Sequence, residues 1–184
     1  MKIACLCWGS LFWNPKELKI QKDSDGNNIW YEDGPFLPIE FTRISGDDNV
    51  TLIIDDKAKP IQVMWALFET NDIDTAREML RKRERTIIDN IHFAIAEEKV
   101  DDKIKSTIIQ WIKTKEIDMA IWTGLSYSSK TENKRPTAEE IIRHLKNLPE
   151  EGKIVAEKYI RKAPKQIQTE YRKRIEEELG WTPT

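Results

Sequence analysis

The stretch Lys2-Ile3-Ala4-Cys5-Leu6-Cys7-Trp8-Gly9-Ser10 is a short apolar run that ends in two turn-forming residues. A run of this length before Gly and Ser is typical of a buried β-strand that opens onto a tight turn. Because residues two apart on a strand face the same side of a sheet, Cys5 and Cys7 are expected to share one face. An unstrained disulfide between such neighbours is difficult to form, so we predict two buried free thiols, with a redox or metal role as the alternative.

The first 70 residues continue mostly as β structure. Apolar and β-branched residues dominate residues 35–43, 49–54 and 61–68, and short polar turns separate these stretches. Residues 61–68 are apolar on both faces, as expected for a central strand. The short connections favour antiparallel pairing.

After residue 70 the spacing of apolar residues changes to that of helices. Asn71 is a predicted N-cap for a helix that carries Ala76 and Leu80 on one face. Residues 101–116 form a second predicted amphipathic helix, and residues 117–122 one more buried strand.

The C-terminal part is predicted to be helical. Thr137 and Glu140 match a capping box, and two further amphipathic stretches follow, the last of which stops at Gly180. Aromatic residues such as Tyr159 are expected to pack back on the rest of the protein. We therefore predict an α+β fold: a small mixed β-barrel with flanking helices in residues 1–125, and a helical C-terminal extension in residues 137–184 packed on it.

Composition excludes several classes of protein. The chain has 184 residues, 39% hydrophobic residues and a net charge of −2, which rules out a disordered or fibrous chain. No apolar run approaches the roughly 18 residues that a membrane span requires, and no secretory signal is apparent, so a cytoplasmic protein without membrane contact is expected. The balanced charge argues against nucleic-acid binding. With two cysteines and two histidines far apart in sequence, no metal site is predicted.

Two features suggest chemistry beyond packing. The Gly9-Ser10-Leu11 turn can leave consecutive backbone N–H groups pointing outward, where they bind a carboxylate or stabilise an oxyanion. The second feature is Glu84, which lies in Arg81-Lys82-Arg83-Glu84-Arg85. A plain turn and a solvated charged surface are the alternatives.

Together, these segments resemble the γ-glutamyl cyclotransferase superfamily. Cys7-Trp8-Gly9-Ser10-Leu11-Phe12-Trp13-Asn14-Pro15 is similar to the opening motif of its ChaC-type branch. Val63-Met64-Trp65-Ala66-Leu67-Phe68, followed by Leu80, Arg83 and Glu84, is similar to the family's strand-then-helix segment that ends in Leu-x-x-Arg-Glu. The resemblance implies the barrel type of that superfamily, substrate binding by Gly9, Ser10 and Leu11, and catalysis by Glu84.

The resemblance covers about residues 3–85, and two departures from the family are visible. Trp8 stands where the family has tyrosine, which removes a phenol from the site, while the helices from Thr137 onward match nothing in the family. We assign Trp8 to substrate binding together with the turn. Arg43 is a candidate anchor for a substrate carboxylate, and the neighbouring Glu40 is an alternative acidic group.

The implied reaction releases 5-oxoproline from a small γ-glutamyl amide or peptide. The attacking α-amino group and the γ-carbonyl belong to one molecule, so the reaction needs no cofactor, metal or covalent nucleophile. A single carboxylate, Glu84, can take the proton from the amine and give it to the leaving group. Arg83 and Arg85 argue against this role, because neighbouring cations lower a carboxyl pKa.

The alternative function is a non-catalytic ligand-binding or protein-interaction module on the same fold. Its distinguishing feature is an exposed Glu84 paired with Arg81 or Arg85, whereas a buried Glu84 that faces the Gly9-Ser10 turn favours the enzyme. The sequence leaves the oligomeric state open.

Overall fold

The computed structural model describes residues 1–184 and contains seven β-strands and five α-helices, with five strands at the start of the chain and three helices at its end. The strands are β1 (Ile3–Cys7), β2 (Phe36–Ile44), β3 (Val50–Ile54), β4 (Pro60–Gln62), β5 (Met64–Leu67), β6 (Ile91–Ile95) and β7 (Met119–Thr123). The helices are α1 (Ile73–Glu84), α2 (Lys103–Thr114), α3 (Ala138–Asn147), α4 (Glu150–Lys162) and α5 (Glu170–Leu179). None of these helices has the length and apolar character that a membrane span requires.

The chain forms two compact units from interleaved segments. The first unit comprises residues 1–7, 14–37 and 62–124, and the second comprises residues 8–13, 38–61 and 125–184. The predicted C-terminal extension thus lies wholly in the second unit, which also takes in two segments from the first third of the chain.

The first unit is organised around a four-stranded sheet in the order β5-β1-β7-β6. All five residues of β1 are buried, as the apolar run predicts, and β1 pairs antiparallel with β5 and parallel with β7. Helices α1 and α2 pack against β6 and β7. Cys5 and Cys7 are buried free thiols, as the sequence predicts.

The second unit contains most of a three-stranded sheet, in the order β3-β2-β4, together with α3, α4 and α5. Helix α4 packs against β3, and α3 contacts both α4 and α5. The predicted capping box at α3 is confirmed, because Thr137 accepts from the Glu140 backbone N–H and Glu140 accepts from that of Thr137. Gly180 ends α5 in the left-handed conformation, with φ 72°.

The predicted closed barrel is wrong, because the strands are divided between two sheets. The division follows from a break at Val63, where the predicted single strand 61–68 separates into β4 and β5. Val63 N–H donates to Pro35 O, and Gly34 N–H donates to Val63 O at 3.1 Å. A Cβ at Gly34 would lie 2.3 Å from the Val63 carbonyl oxygen, so only glycine allows this close backbone contact.

Candidate functional site

Glu84 is the last residue of α1 in the first unit. Ala76 and Leu80 form the buried face of this helix, and Asp72, one residue after the predicted Asn71, is its N-cap. The helix ends at Arg85, whose backbone adopts a left-handed conformation with φ 53°. The position of Glu84 is therefore fixed by the docking of α1 and by the sharp end of the helix.

The Glu84 side chain is largely buried beside a buried arginine. Its exposed fraction is 21%, and that of Arg83 is 8%. Arg83 Nη1 donates to Glu84 Oε1 at 3.0 Å, while Arg83 Nε donates to the Asn14 carbonyl oxygen at 2.9 Å. The pairing with Arg81 or Arg85 that would distinguish the alternative function does not form, because Glu84 pairs with Arg83 and Arg81 binds Glu78. Glu84 thus combines partial burial with one close cation.

Burial decides the ionisation of Glu84. Loss of solvent raises the pKa of its carboxyl above the ordinary glutamate value, and the nearby charges of Arg83 and Lys16 only partly offset this effect. The expected lowering of the pKa by flanking arginines is therefore outweighed. A carboxyl with a raised pKa is better suited to exchange protons near neutral pH than an exposed glutamate.

The same carboxylate acts electrostatically on the central strand. Burial raises the pKa of the Cys5 thiol, and the charges of Cys7 and Glu84 add to this rise. Cys5 is therefore held as a neutral thiol, which makes it a packing residue and a poor nucleophile.

The segment from Trp8 to Leu11 lies in the second unit. Trp8 is 7% exposed, and its Nε1 donates to the Leu52 carbonyl oxygen on β3 at 3.3 Å. Phe12 N–H donates to Gly9 O at 3.0 Å, which closes the predicted turn around Ser10 and Leu11. Leu11 is buried, so its side chain helps to anchor the turn.

Tyr159 of α4 lies directly over Gly9, within the second unit. A Cβ at Gly9 would be 2.5 Å from the Tyr159 hydroxyl oxygen and 3.5 Å from Cζ. The phenol ring packs edge-on against Trp13, with ring centroids 5.3 Å apart, and against Phe41 at 6.5 Å. A phenol thus lies beside the Gly9 backbone although the chain has tryptophan at position 8.

Arg43, also in the second unit, has a guanidinium without an acidic partner. Its Nε is buried and forms no hydrogen bond. Burial lowers the pKa of the guanidinium, and the proximity of Tyr159 opposes that shift. A buried, unpaired donor of this kind can bind a ligand carboxylate, because such a ligand supplies the missing acceptor.

Glu40 has a structural role rather than pairing with Arg43. Its Oε1 accepts from Phe41 N–H at 2.8 Å and its Oε2 accepts from Tyr171 N–H at 3.2 Å, which joins β2 to the start of α5. Burial raises the pKa of this carboxyl, and hydrogen bonds with the Thr169 side chain and with the Phe41 and Tyr171 N–H groups partly counter the rise. The register of β2 against β3 shifts between Glu40 and Arg43, which is typical of a β-bulge.

The predicted site residues therefore fall into two groups. Glu84 lies in the first unit with Arg83 and Lys16, whereas Trp8, Gly9, Ser10, Leu11 and Arg43 lie in the second unit with Tyr159. Sequence reasoning missed Lys16 and Tyr159 as members of these groups. Tyr159 lies in an amphipathic helix pattern, and nothing in that pattern indicates contact with Gly9. No family model, curated protein or solved structure matches the chain.

Proposed function

We propose that this protein is a γ-glutamyl cyclotransferase-like enzyme, which converts a small γ-glutamyl amide or peptide into 5-oxoproline and a free amine. The observation that carries the proposal is the burial of the Glu84 carboxyl and its raised pKa. Its carboxyl is 21% exposed and has a raised pKa, and it occupies the position to which the family resemblance assigns the acid and base.

In the proposed reaction, the Glu84 carboxylate takes a proton from the substrate α-ammonium group. The free amine nitrogen then attacks the γ-carbonyl carbon, and a tetrahedral oxyanion forms. The bond from the γ-carbon to the amide nitrogen breaks as protonated Glu84 gives its proton to the departing nitrogen. The regenerated carboxylate then takes the second proton from the new ring nitrogen and passes it to the departing amine, which leaves as an ammonium ion. No water is consumed, and the proximity of the two reacting groups within one molecule lowers the barrier.

Residues of the second unit support the substrate-binding part of the proposal. Its turn at Gly9 places backbone beside the Tyr159 phenol. Arg43 is half-buried, has no acidic partner, and has a buried Nε that forms no hydrogen bond. In the role that the resemblance assigns to this turn, its backbone N–H groups stabilise the oxyanion, where the loss of one donor typically costs about 3 kcal/mol.

The test is mass-spectrometric detection of 5-oxoproline after incubation with glutathione and a panel of γ-glutamyl amino acids. Glu84→Gln is expected to lower kcat/KM by about 10²- to 10⁴-fold, the usual contribution of a general acid-base group. Glu78→Gln is the matched control, because Glu78 is on the same helix with 43% of its side chain exposed. This control is expected to stay within about twofold of the wild type.

The pH profile provides a second measurement on the same protein. Because the base must be deprotonated, kcat/KM is expected to fall with decreasing pH through a pKa above the ordinary glutamate value. Release of no 5-oxoproline from any substrate by folded wild type, or full activity of Glu84→Gln, would refute the proposal and leave a ligand-binding module as the better description.

A further inference from the structure

A basic cavity of about 680 Å³ lies in the first unit, beside the C-terminal end of α1. Its volume is within the usual range for small-molecule sites, about 300–1,000 Å³. The charged residues that line it are five basic and two acidic, a net charge of +3 in a chain whose total charge is −2. They are Lys16, Lys19, Lys82, Arg83, Arg85, Glu17 and Glu69.

Helix electrostatics explain only part of this cluster. Cations in the last turn of a helix are stabilised by the helix dipole, which accounts for Lys82 and Arg83. Lys16 and Lys19 come from a different segment, before β2, so the fold brings cations from two parts of the chain to one cavity.

Three of the five cations have no ion-pair partner. Arg83 binds Glu84, and Lys82 lies 3.7 Å from Glu78. Lys16, Lys19 and Arg85 form no ion pair, although the charge of Lys16 acts at longer range on Glu84. Repulsion among unpaired cations is unfavourable, and an anion between them would remove it.

Two of the unpaired cations have an unusual backbone. Lys16 and Arg85 both have φ 53°, in the left-handed region that glycine or asparagine adopts more readily. Folding thus holds two long basic side chains at positions where their residue types are disfavoured. The dipole of α1 also favours a cation at Arg85, its C-cap, whereas neither the dipole nor the local backbone gives a reason for a cation at position 16.

We propose that this cavity is a binding site for a compact multivalent oxyanion, a small molecule that carries phosphate groups or several carboxylates. Lys16, Lys19 and Arg85 supply the unpaired charges. Thr70 and Thr75 also line the cavity and add hydroxyl groups. This inference does not depend on the proposed reaction.

The test is calorimetric titration of the full-length protein with pyrophosphate and, separately, with citrate. The key variant is Lys16→Asn/Arg85→Gly, which removes two charges and introduces residues that the left-handed conformation favours, so its folding is not expected to suffer. The matched control is Lys99→Gln/Lys113→Gln, which removes two charges from exposed lysines of the first unit outside the cavity.

We expect saturable binding of at least one anion, at least tenfold weaker in the key variant and within twofold of wild type in the control. Stronger binding of pyrophosphate assigns the site to phosphates, and stronger binding of citrate assigns it to polycarboxylates; either result supports the oxyanion site. The inference is overturned if neither anion binds, or if both double variants lose affinity equally, since that result indicates only general charge attraction.

Discussion

At the scale of single residues, the contact between Gly9 and Tyr159 makes a clear prediction. A Cβ at position 9 would lie 2.5 Å from the Tyr159 hydroxyl oxygen, and Trp13 and Phe41 hold the phenol ring from two sides. Because the ring has little room to move, Gly9→Ala is expected to lower the free energy of unfolding by about 1–3 kcal/mol, the usual cost of overpacking. Chemical denaturation measures this change.

A double-mutant cycle separates this contact from a backbone effect. In Tyr159→Phe the hydroxyl is absent, and the nearest ring atom, Cζ, is at an ordinary contact distance of 3.5 Å. Gly9→Ala is therefore expected to cost much less in the Tyr159→Phe background. An equal cost in both backgrounds would contradict the steric explanation.

The residue scale also shows what a motif can and cannot predict. The family resemblance selects Glu84 from its spacing alone. Its ionisation depends on burial against the sheet of the first unit and on Lys16, which is 68 positions earlier in the chain. Neighbours in sequence suggested a lowered pKa. Loss of solvent raises the pKa of Glu84 by more than the charges of Arg83 and Lys16 lower it.

At the scale of secondary structure, the sequence predicted elements with strong local signals. The apolar run of β1, the capping box of α3 and the stop at Gly180 were all located correctly, because each depends on a few adjacent residues. Strand β6 (Ile91–Ile95) was missed, since only Ile91 and Ala94 are buried and the sequence does not alternate. The break at Val63 was missed because a backbone contact with the distant Gly34 produces it.

The C-terminal end of helix α4 is bound by a buried arginine of α5, which the apolar pattern of the sequence did not predict. Arg172 of α5 is fully buried and donates to the carbonyl oxygens of Ile160, Ala163, Pro164 and Ile167 at 2.9–3.0 Å. These bonds satisfy carbonyl acceptors at the end of α4 and in the loop that follows, where only Pro164 O has a backbone donor as well, the Ile167 N–H.

Arg172→Lys is expected to lower the free energy of unfolding by about 3 kcal/mol. A lysine ammonium has three N–H donors and cannot reproduce the planar arrangement of the five guanidinium donors. Arg174→Lys is the matched control: Arg174 is on the same helix, 41% exposed, and pairs with Glu139 and Glu178. Its cost should be within about 0.5 kcal/mol. Similar costs for the two substitutions, measured by denaturation, would show that the buried bonds contribute little.

At the scale of the whole molecule, sequence order and spatial organisation differ. The predicted division into residues 1–125 and 137–184 follows the order of elements along the chain, because only helices are predicted after the last strand at residues 117–122. The compact units instead combine segments far apart in sequence, since 8–13 and 38–61 belong with 125–184. Periodicity identifies which faces are apolar, but it does not identify the partner that covers each face.

This organisation predicts that residues 1–124 will not retain the β2–β3 region in its native form. Without residues 125–184, β3 loses its contact with α4, Glu40 loses the Tyr171 N–H, and Gly9 loses Tyr159. In a ¹H–¹⁵N correlation spectrum of the truncated chain, amide signals of residues 38–61 should lose their native dispersion and their protection from exchange. Addition of the separate 125–184 segment should restore both, because it supplies the missing covering face. Native shifts and protection for residues 38–61 in the truncated chain alone would instead support the division of the chain near residue 125.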